Sequence, residues 1–345
     1  MSNRSNTRSY RLGIVGTGGI AYAHGRACSE LECAEICAIC DISEGALNRY
    51  GDEFGVTNRY LNLDEMLENE NLDIAIICTW GAYHAHTGIQ IAESRKVRAI
   101  LCEKPFTSTA AEAEQMVAAA NENGILLSEA FKFRHHPMHL KAKELVDSDG
   151  IGDVMTIRST FCTGGGGGGP ATRRPESNWR FNQAKGGGSI YDLGCYCIHH
   201  ARFIFDDEPV RVFASRQAGL EVDDGAYLLL VFPDERTAQI SVGFNSWRAQ
   251  YAEICGTKGM LRIEKAWNNE NQPVTLEHWT NDGTTPIEFD PTFQFAHQLR
   301  HLCDCLTTGQ AHRIPPENSI NQMRVIDAVF ESMATGKSVE LRTLS

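Results

Sequence analysis

The sequence has no apolar run long enough to cross a membrane as a helix. None of its 345 residues lies in a stretch of about 18 consecutive apolar residues. The first ten residues, MSNRSNTRSY, are polar and have no apolar core of the kind that a secretion signal needs. We therefore expect a cytoplasmic protein that has no membrane partner.

Positive charge is scarce and is not concentrated anywhere. The chain has 32 lysines and arginines against 44 aspartates and glutamates, so its formal net charge is −12. A nucleic acid backbone would be repelled by this charge, and no block of basic residues offsets it locally. The composition thus argues against nucleic acid as a partner.

The cysteines lack the spacing of a metal or disulfide framework, although there are twelve of them. The C-x-C pairs Cys195/Cys197 and Cys303/Cys305 have no matching second pair at zinc-finger spacing. Cys78 lies inside an apolar run, where cysteine behaves as a small hydrophobic residue. We expect reduced thiols and no metal site.

The hydrophobic pattern changes near residue 130. Before it, short apolar runs alternate with helix-like segments such as TAAEAEQMVAAANENG, which predicts βαβ units on a parallel sheet. After it, alternating segments such as VMTIRSTF and TAQISVGFN predict antiparallel strands, followed by two helices that end at Gly309 and Gly336. The prediction is an α/β protein with a nucleotide-type domain at 1–130 and an α+β domain with a large sheet at 131–345. The final helix is a candidate to pack back on the first domain.

A glycine motif follows the first strand directly. In GIVGTGGIA, Gly16, Gly18 and Ala21 satisfy the dinucleotide-binding pattern G-x-G-x-x-[GA]. Such glycines permit a tight turn and close approach of a pyrophosphate to the amino terminus of the next helix. The second strand ends in Asp41, where an acid can bind ribose hydroxyls and repel a 2′-phosphate; no arginine follows it directly. These features favour NAD over NADP.

The stretch LCEKPF ends a later strand without a turn glycine. Ligands of such sheets bind beyond the carboxyl ends of the strands, so Glu103 and Lys104 are expected at the cofactor cleft. Pro105 removes a backbone donor where regular strand pairing stops, and the Lys104–Pro105 bond is one where a cis peptide is accessible.

The segment SIYDLGCYCIHHARFI predicts a helix with converging polar groups. At helical spacing Asp192, Tyr196 and either His199 or His200 share one face. The alternative is that Tyr196 is a core aromatic residue and the histidines are at the surface. The Lys104 motif favours the interpretation as a functional site.

A glycine-rich run, residues 163–180, precedes this helix. The run, which includes Gly164–Gly169, is either a substrate lid or a disordered connector. Arg173 and Arg174 within it are either an anion clamp or ordinary exposed loop arginines.

Together these segments resemble the Gfo/Idh/MocA family, named for glucose-fructose oxidoreductase and inositol dehydrogenase. The resemblance rests on GIVGTGGIA, CEKPF, EAFKFRHHPMHLKAKELVDSDGIGDV and NWRFNQAKGGGSIYDLGCYCIHHARF, in that order, and on the strand-rich second half. It implies a Rossmann domain followed by an α/β domain with a large, mostly antiparallel open sheet. It also implies reversible oxidation of sugar or cyclitol hydroxyls, and a homodimer or homotetramer formed through that sheet.

The resemblance assigns roles to individual residues. The lysine of the E-K-P motif, here Lys104, contacts the reacting hydroxyl, and Asp192 with Tyr196 matches the D-x-G-x-Y branch rather than the D-x-x-x-H form of inositol dehydrogenases. Trp80 stands where family members commonly have proline. The implied cofactor-binding residues are Gly16, Gly18, Gly19, Ile20, Asp41, Thr79, Trp80, His84, Glu103, Lys104 and Pro105. The implied substrate-binding residues are Arg134, Trp179, Arg180, Asp192 and His199.

The expected reaction is hydride transfer between a nicotinamide and a carbinol or carbonyl carbon of a polyhydroxylated substrate. In this hypothesis Lys104 polarises the reacting oxygen, Tyr196 donates or accepts the proton, and Asp192 orients the substrate. His199 or His200 relays the proton to solvent. Two alternatives stay open, which are a non-catalytic NAD-binding regulator and an NAD-dependent glycosidase that oxidises its substrate transiently.

Overall fold

The chain folds into two compact units, in a computed structural model that describes residues 9–164 and 172–341. The first unit comprises the described residues up to Thr107, together with Ala111–Lys132 and Phe293–Ser319. The second comprises Ser108–Ala110, Phe133–Thr292 and the described residues from Ile320 onward. Within the described ranges, no helix is long and apolar enough to cross a membrane.

The first unit contains a six-stranded parallel sheet in the order β3-β2-β1-β4-β5-β6. This is the strand order of a Rossmann fold, and it confirms the predicted α/β class. The strands are β1 (Tyr10–Val15), β2 (Ala34–Cys40), β3 (Asn58–Tyr60), β4 (Ile74–Ile77), β5 (Ala99–Cys102) and β6 (Leu126–Glu129). The helices between them are α1 (Gly19–Ser29), α2 (Glu44–Phe54), α3 (Leu63–Asn69), α4 (His84–Ser94) and α5 (Ala110–Glu122).

Strands β4 and β5 are buried along their whole length. Their sequences, IAII and AILC, are uninterrupted apolar runs because helices cover both faces of a parallel sheet. The carboxyl ends of these two strands lead directly into the Thr79 and Glu103 segments.

Helix α8 (Gln294–Thr308) joins the core of this first unit, although it lies far along the chain. Its residues Phe295, Leu299 and Leu302 are buried in the same core as β1 and α1. The predicted division at residue 130 did not include this return of the chain. The final helix, α9 (Pro316–Thr335), begins in the first unit and continues into the second.

The second unit contains a nine-stranded sheet in the order β14-β13-β12-β11-β7-β10-β9-β8-β15. Every adjacent pair is antiparallel except β7 and β10, which confirms a large and mostly antiparallel sheet. The strands are β7 (Val154–Cys162), β8 (Arg211–Ala218), β9 (Asp223–Val231), β10 (Thr237–Gly243), β11 (Ala252–Gly256), β12 (Gly259–Ile263), β13 (Val274–Thr280), β14 (Gly283–Phe289) and β15 (Val339–Glu340). The α-helices among the described residues of this unit, besides α9, are α6 (Pro137–Asp147) and α7 (Cys195–Phe205).

Helix α7 is buried along almost its whole length. Ten of its eleven residues are buried, since it packs on β7 and β10 of the large sheet. Other positions of the sheet are solvent-exposed and carry large apolar side chains, among them Phe213, Tyr227 and Leu229. The alternation of buried and exposed side chains along β9 reflects the two faces of the sheet.

Candidate active site

The glycine loop of the first unit has the shape that a dinucleotide requires. Gly16 has φ of 90°, and a Cβ there would lie 2.8 Å from the backbone of Cys78 and Thr79 at the end of β4. Gly18 and Gly19 are exposed, and an added Cβ would meet no described heavy atom within 4 Å. Helix α1 begins at Gly19 with no acidic residue in its first turn, so its amino-terminal N–H groups fit a pyrophosphate.

Asp41, just after β2, is fixed beside this loop. Its Oδ2 accepts hydrogen bonds from the backbone N–H of Thr17 at 2.7 Å and from Thr17 Oγ1 at 3.0 Å. Its Oδ1 accepts a bond from the N–H of Ser43 at 2.8 Å. The carboxylate is therefore oriented by the protein before any ligand binds, in the position where an acid contacts a ribose.

The end of β4 brings together Thr79, Trp80 and His84. Trp80 is 38% exposed, and its ring centroid lies 6.3 Å from that of Tyr83. The ring of His84 is buried, with Nδ1 2.8 Å from the carbonyl oxygen of Pro105 and Nε2 3.0 Å from that of Thr79. Burial lowers the pKa of His84, while the two carbonyl contacts oppose that shift.

The Glu103–Lys104–Pro105 turn follows β5. Glu103 is buried, and its Oε1 lies 2.7 Å from Nε2 of His24 on α1. Burial alone would raise the pKa of Glu103, but His24 and Lys104 outweigh it and hold this pKa below its usual value. The backbone N–H of Lys104 donates to Glu103 Oε2 at 3.2 Å, and the Lys104–Pro105 peptide is cis. The first unit thus brings Glu103, Lys104, Pro105 and His84 together.

In the second unit, the segment before α7 is not the uniform α-helix that its sequence predicts. Residues Ile190–Gly194 form a π-helical turn, and α7 starts only at Cys195. The wider turn changes the angular spacing of Asp192 relative to Tyr196, and their common face stays a prediction. Such turns frequently occur at functional sites, and a 3.6-residue pattern does not reveal them.

Asp192 lies in this turn and pairs with Arg180. The guanidinium Nε of Arg180 donates to Asp192 Oδ2 at 2.8 Å, and Arg180 lies over the ring of Trp179 at 4.8 Å. Asp192 is buried and Arg180 is half-buried. Three of the predicted substrate-binding residues, Trp179, Arg180 and Asp192, are therefore in one cluster.

His199 and Arg134 form a second contact of predicted residues. An N–H of the Arg134 guanidinium donates to Nε2 of His199 at 2.9 Å, and Arg134 lies 3.9 Å over the ring of Phe203. Burial and the charge of Arg134 hold the pKa of His199 well below its usual value. His199 is therefore neutral, with Nε2 as a hydrogen-bond acceptor.

His200 has different surroundings. Its ring is fully buried and packs on Phe133, His139 and Trp267 at centroid distances of 6.0, 5.4 and 5.4 Å. Neither ring nitrogen has a hydrogen-bond partner among the described residues. Burial lowers the pKa of His200 to about 3. The alternative that both histidines are at the surface is wrong.

Tyr196 lies among aromatic rings as well. Its centroid is 5.5 Å from that of Phe161 and 6.1 Å from that of Trp267, and the residue is 6% exposed. Sequence reasoning did not single out Trp267, because nothing in its local sequence indicates a contact with α7. It also missed His24. This residue lies on the helix after the glycine motif, and only the structure shows that it is buried.

The glycine-rich run is described only in part. Residues 165–171 lie outside the described residues, and with them seven of the 18 residues of the predicted lid or connector. Arg173 is half-buried and lowers the pKa of Asp224 against the larger effect of burial, which raises it. The carbonyl of Arg174 accepts bonds from the N–H groups of Ser177 and Asn178.

Both halves of the chain match known protein families. Residues 10–131 match the oxidoreductase family with an NAD-binding Rossmann fold, and residues 139–262 match the GFO/IDH/MocA C-terminal domain.

Similar proteins match over almost the whole length. The chain is 31% identical to D-xylose 1-dehydrogenase (NADP(+)) 2 of Haloferax volcanii, over 96% of this chain and 99% of that protein. It is 30% identical to trans-1,2-dihydrobenzene-1,2-diol dehydrogenase of Mus musculus, over 87% and 89%. The crystal structure of aldose-aldose oxidoreductase from Caulobacter crescentus, complexed with glycerol, superimposes with a TM-score of 0.87 at 28% identity, over 97% of this chain and 100% of that one.

Proposed function

The chain belongs to the Gfo/Idh/MocA family of oxidoreductases, and we propose that it transfers a hydride between a nicotinamide cofactor and a hydroxyl or carbonyl carbon of a sugar, cyclitol or related polyol. One observation carries this proposal. Lys104 is the second residue after β5, at the carboxyl edge of the parallel sheet and two strands from β1, which leads into the glycine loop. That edge is where sheets of this kind bind ligands.

Lys104 is proposed to hold the reacting oxygen. A bound nicotinamide supplies the hydride acceptor or donor, and the protein supplies binding and orientation. The ammonium group of Lys104 donates a hydrogen bond to the substrate oxygen and stabilises the negative charge that develops on it. Glu103 lies beside this lysine, with its Oε1 in contact with His24 and its Oε2 accepting the backbone N–H of Lys104.

Tyr196 is proposed to exchange the proton of the substrate hydroxyl, and Asp192 to accept a hydrogen bond from a neighbouring hydroxyl. The pairing with Arg180 orients the carboxylate of Asp192. Between the two histidines, we assign the proton relay to His199. His200 is surrounded by rings and has no hydrogen-bond partner among the described residues, so no hydrogen bond connects it to a path for the proton.

The proposed cofactor is NAD, with NADP the less favoured alternative. The support is Asp41, whose negative charge is fixed next to the glycine loop and would repel a 2′-phosphate. The Haloferax relative is named as NADP-dependent, so this relative does not support the choice of NAD. Asp41→Ser is expected to shift the ratio of NADH to NADPH affinity at least tenfold toward NADPH, measured by cofactor fluorescence titration. An unchanged ratio would remove Asp41 from cofactor selection.

Lys104→Ala tests the proposed reaction most directly. Wild-type enzyme is assayed by absorbance at 340 nm with NAD and NADP against aldoses, inositols, anhydrosugars and amino sugars. The variant is expected to lose at least about 10²-fold in kcat because the reacting oxygen loses its hydrogen-bond donor. Its affinity for NADH is expected to stay within twofold of wild type.

Lys96 offers the matched control, since it is an exposed lysine of the same unit. Lys96→Ala is expected to keep wild-type kcat. Turnover by Lys104→Ala at the wild-type rate would contradict the role of Lys104. Tight NADH binding by a wild-type protein that turns over no substrate in the panel would contradict the proposed reaction.

The same proposal includes a homodimer or homotetramer formed through the large sheet, in the cytoplasm. Its support is the exposed apolar side chains of Phe213, Tyr227 and Leu229, which are neighbours in the registers of β8 and β9. All twelve cysteines lie in the described ranges and are free thiols, which suits a reducing compartment. Tyr227→Arg is expected to lower the molecular mass found by sedimentation, and an unchanged mass would contradict this interface.

A further inference from the structure

Two buried histidines on different helices contact the turn that carries Lys104. His24 lies on α1 and is 0% exposed, and His84 is the first residue of α4 and is 1% exposed. Both belong to the first unit, as does the turn itself. Family resemblance assigns His84 to cofactor binding and gives no role to His24.

His24 acts on the residue before Lys104. Its Nε2 lies 2.7 Å from Oε1 of Glu103, and the other carboxylate oxygen accepts the N–H of Lys104 at 3.2 Å. The Nδ1 of His24 has no hydrogen-bond partner among the described residues, so the ring is turned toward Glu103. A carboxylate held at one oxygen therefore fixes the backbone amide of Lys104 through the other.

His84 acts on the residue after Lys104. Its Nδ1 lies 2.8 Å from the carbonyl oxygen of Pro105, and its Nε2 lies 3.0 Å from that of Thr79. Both ring nitrogens of this buried side chain thus face the backbone of the two loops that follow β4 and β5. A neutral imidazole carries a single N–H, so it can donate to only one of these two carbonyls at a time.

The side chain of lysine makes this support necessary. Lysine has a flexible four-carbon stem and a head group that donates without a fixed direction. Productive geometry at a reacting atom requires placement within roughly half an ångström, which neighbouring hydrogen bonds must supply. Fixing the backbone on both sides of Lys104 limits the volume that its ammonium group can reach.

We propose that His24 and His84 are positioning residues that hold Lys104 through Glu103 and Pro105, and that neither of them is a ligand of the cofactor. The inference deepens the proposed function, because it rests on Lys104 as the group that holds the reacting oxygen. It predicts losses in kcat without losses in cofactor affinity.

Paired amide substitutions test this inference, because each amide reproduces one nitrogen of the imidazole. The side-chain nitrogen of asparagine takes the place of Nδ1, and that of glutamine takes the place of Nε2. His84→Asn is expected to keep kcat within about fivefold of wild type, since it retains the donor toward Pro105. His84→Gln is expected to lose at least 30-fold in kcat. The Kd for NADH is expected to stay within twofold in both variants.

The order is expected to reverse at His24. There the Nε2 position contacts Glu103, so His24→Gln is expected to retain kcat and His24→Asn to lose at least 30-fold. A general loss of structure would reduce activity in both members of each pair alike. His86 provides the control, because it is an exposed histidine on the same helix as His84, and His86→Asn and His86→Gln are both expected to match wild type.

A second readout does not depend on turnover. The reactivity of Lys104 is measured by trace acetylation with acetic anhydride and peptide mass analysis, with the exposed Lys96 as internal reference. His84→Gln and His24→Asn are expected to change the relative reactivity of Lys104 at least threefold, and their partner variants are not. If wild type turns over no substrate, the proposed reaction fails, and this measurement still decides the positioning role.

Three outcomes would overturn the inference. The first is an equal loss of kcat in Asn and Gln variants at either histidine while their melting temperatures stay within a few degrees of wild type. The second is a rise in the Kd for NADH with unchanged kcat in His84 variants, which would make His84 a cofactor ligand. The third is unchanged reactivity of Lys104 in all four variants. Should one variant fail to fold, the pair at the other histidine decides.

Discussion

The turn around Lys104 and helix α7 both bury histidines, but they use them in different ways. In the first unit, ring nitrogens of His24 and His84 contact a carboxylate and two backbone carbonyls. In the second unit, His200 meets aromatic rings on several sides and no hydrogen-bond partner among the described residues. Histidine side chains therefore hold the backbone by hydrogen bonds in the first region and pack among aromatic rings in the second.

This difference reflects how closely each region must control the position of its neighbouring groups. A hydrogen bond sets both direction and distance, so it can hold the backbone beside a lysine. Packing among Phe133, His139 and Trp267 excludes water but tolerates small shifts of a ring. We therefore expect the two regions to respond in opposite ways when a histidine is replaced by an apolar residue.

The largest expected effect comes from replacing one histidine in each region by leucine. His24→Leu leaves the Glu103 carboxylate buried without His24, which costs about 3–5 kcal/mol of unfolding free energy. His200→Leu removes two unsatisfied ring nitrogens, so the change is expected to stay within about 1 kcal/mol of wild type or to stabilise the protein. Urea unfolding at pH 7.5 measures both, and an equal loss in the two variants would contradict the comparison.

An intermediate effect is expected from pH. Burial lowers the pKa of His200 to about 3, against about 6.5 when unfolded, so the unfolded chain binds this proton first. Stability from the neutral ring is complete above the unfolded pKa and is lost as the pH falls through the interval toward 3. Between pH 7.5 and pH 5.0, His200 alone is expected to lower the unfolding free energy by about 2 kcal/mol.

The measurement is the unfolding free energy of wild type and of His200→Leu at both pH values. Wild type is expected to lose about 2 kcal/mol more than the variant. Glu103 does not contribute over this interval, because its pKa is lowered from 4.5 and its stabilisation is lost only below that range. Equal losses in both proteins would show that His200 is not held neutral.

The smallest expected effect concerns the hydrogen bonds that Asp223 accepts at the start of the π-helical turn before α7. Ser189 Oγ donates to Asp223 Oδ2 at 2.5 Å, and the N–H of Ile190 donates to the same oxygen at 2.9 Å. Ser189→Ala is expected to cost about 1 kcal/mol of unfolding free energy, since the second bond remains. Ser189→Thr keeps the hydroxyl and is the control. Unchanged stability in the alanine variant would show that the Ser189 hydroxyl does not contribute to holding the π-helical turn.

Much of the fold is predictable from local sequence. Uninterrupted apolar runs predicted the central parallel strands, and alternation predicted most of the large sheet. Strand β14 was not predicted, because Pro286 interrupts its alternating pattern. Proline is tolerated there because β14 is an edge strand. Strand β15 has two residues, Val339 and Glu340, which are too few to show a period.

The surroundings of the proposed catalytic residues are less predictable. The glycine motif and the E-K-P turn are local in sequence and could be recognised. His24 and Glu103 are 79 positions apart, so their contact depends on how strands and helices assemble. The π-helical turn at Ile190–Gly194 is hidden for a different reason, because a single widened turn leaves the helical pattern of apolar residues nearly intact.

The return of α8 to the first unit has a consequence for how the protein forms on the ribosome. The core around β1 and α1 contains Phe295, Leu299 and Leu302, which are made only after most of the second unit has been synthesised. A nascent chain of 132 residues would therefore expose apolar surface that α8 covers in the folded protein. For the same reason, cutting the gene at a single point would not yield two self-sufficient fragments.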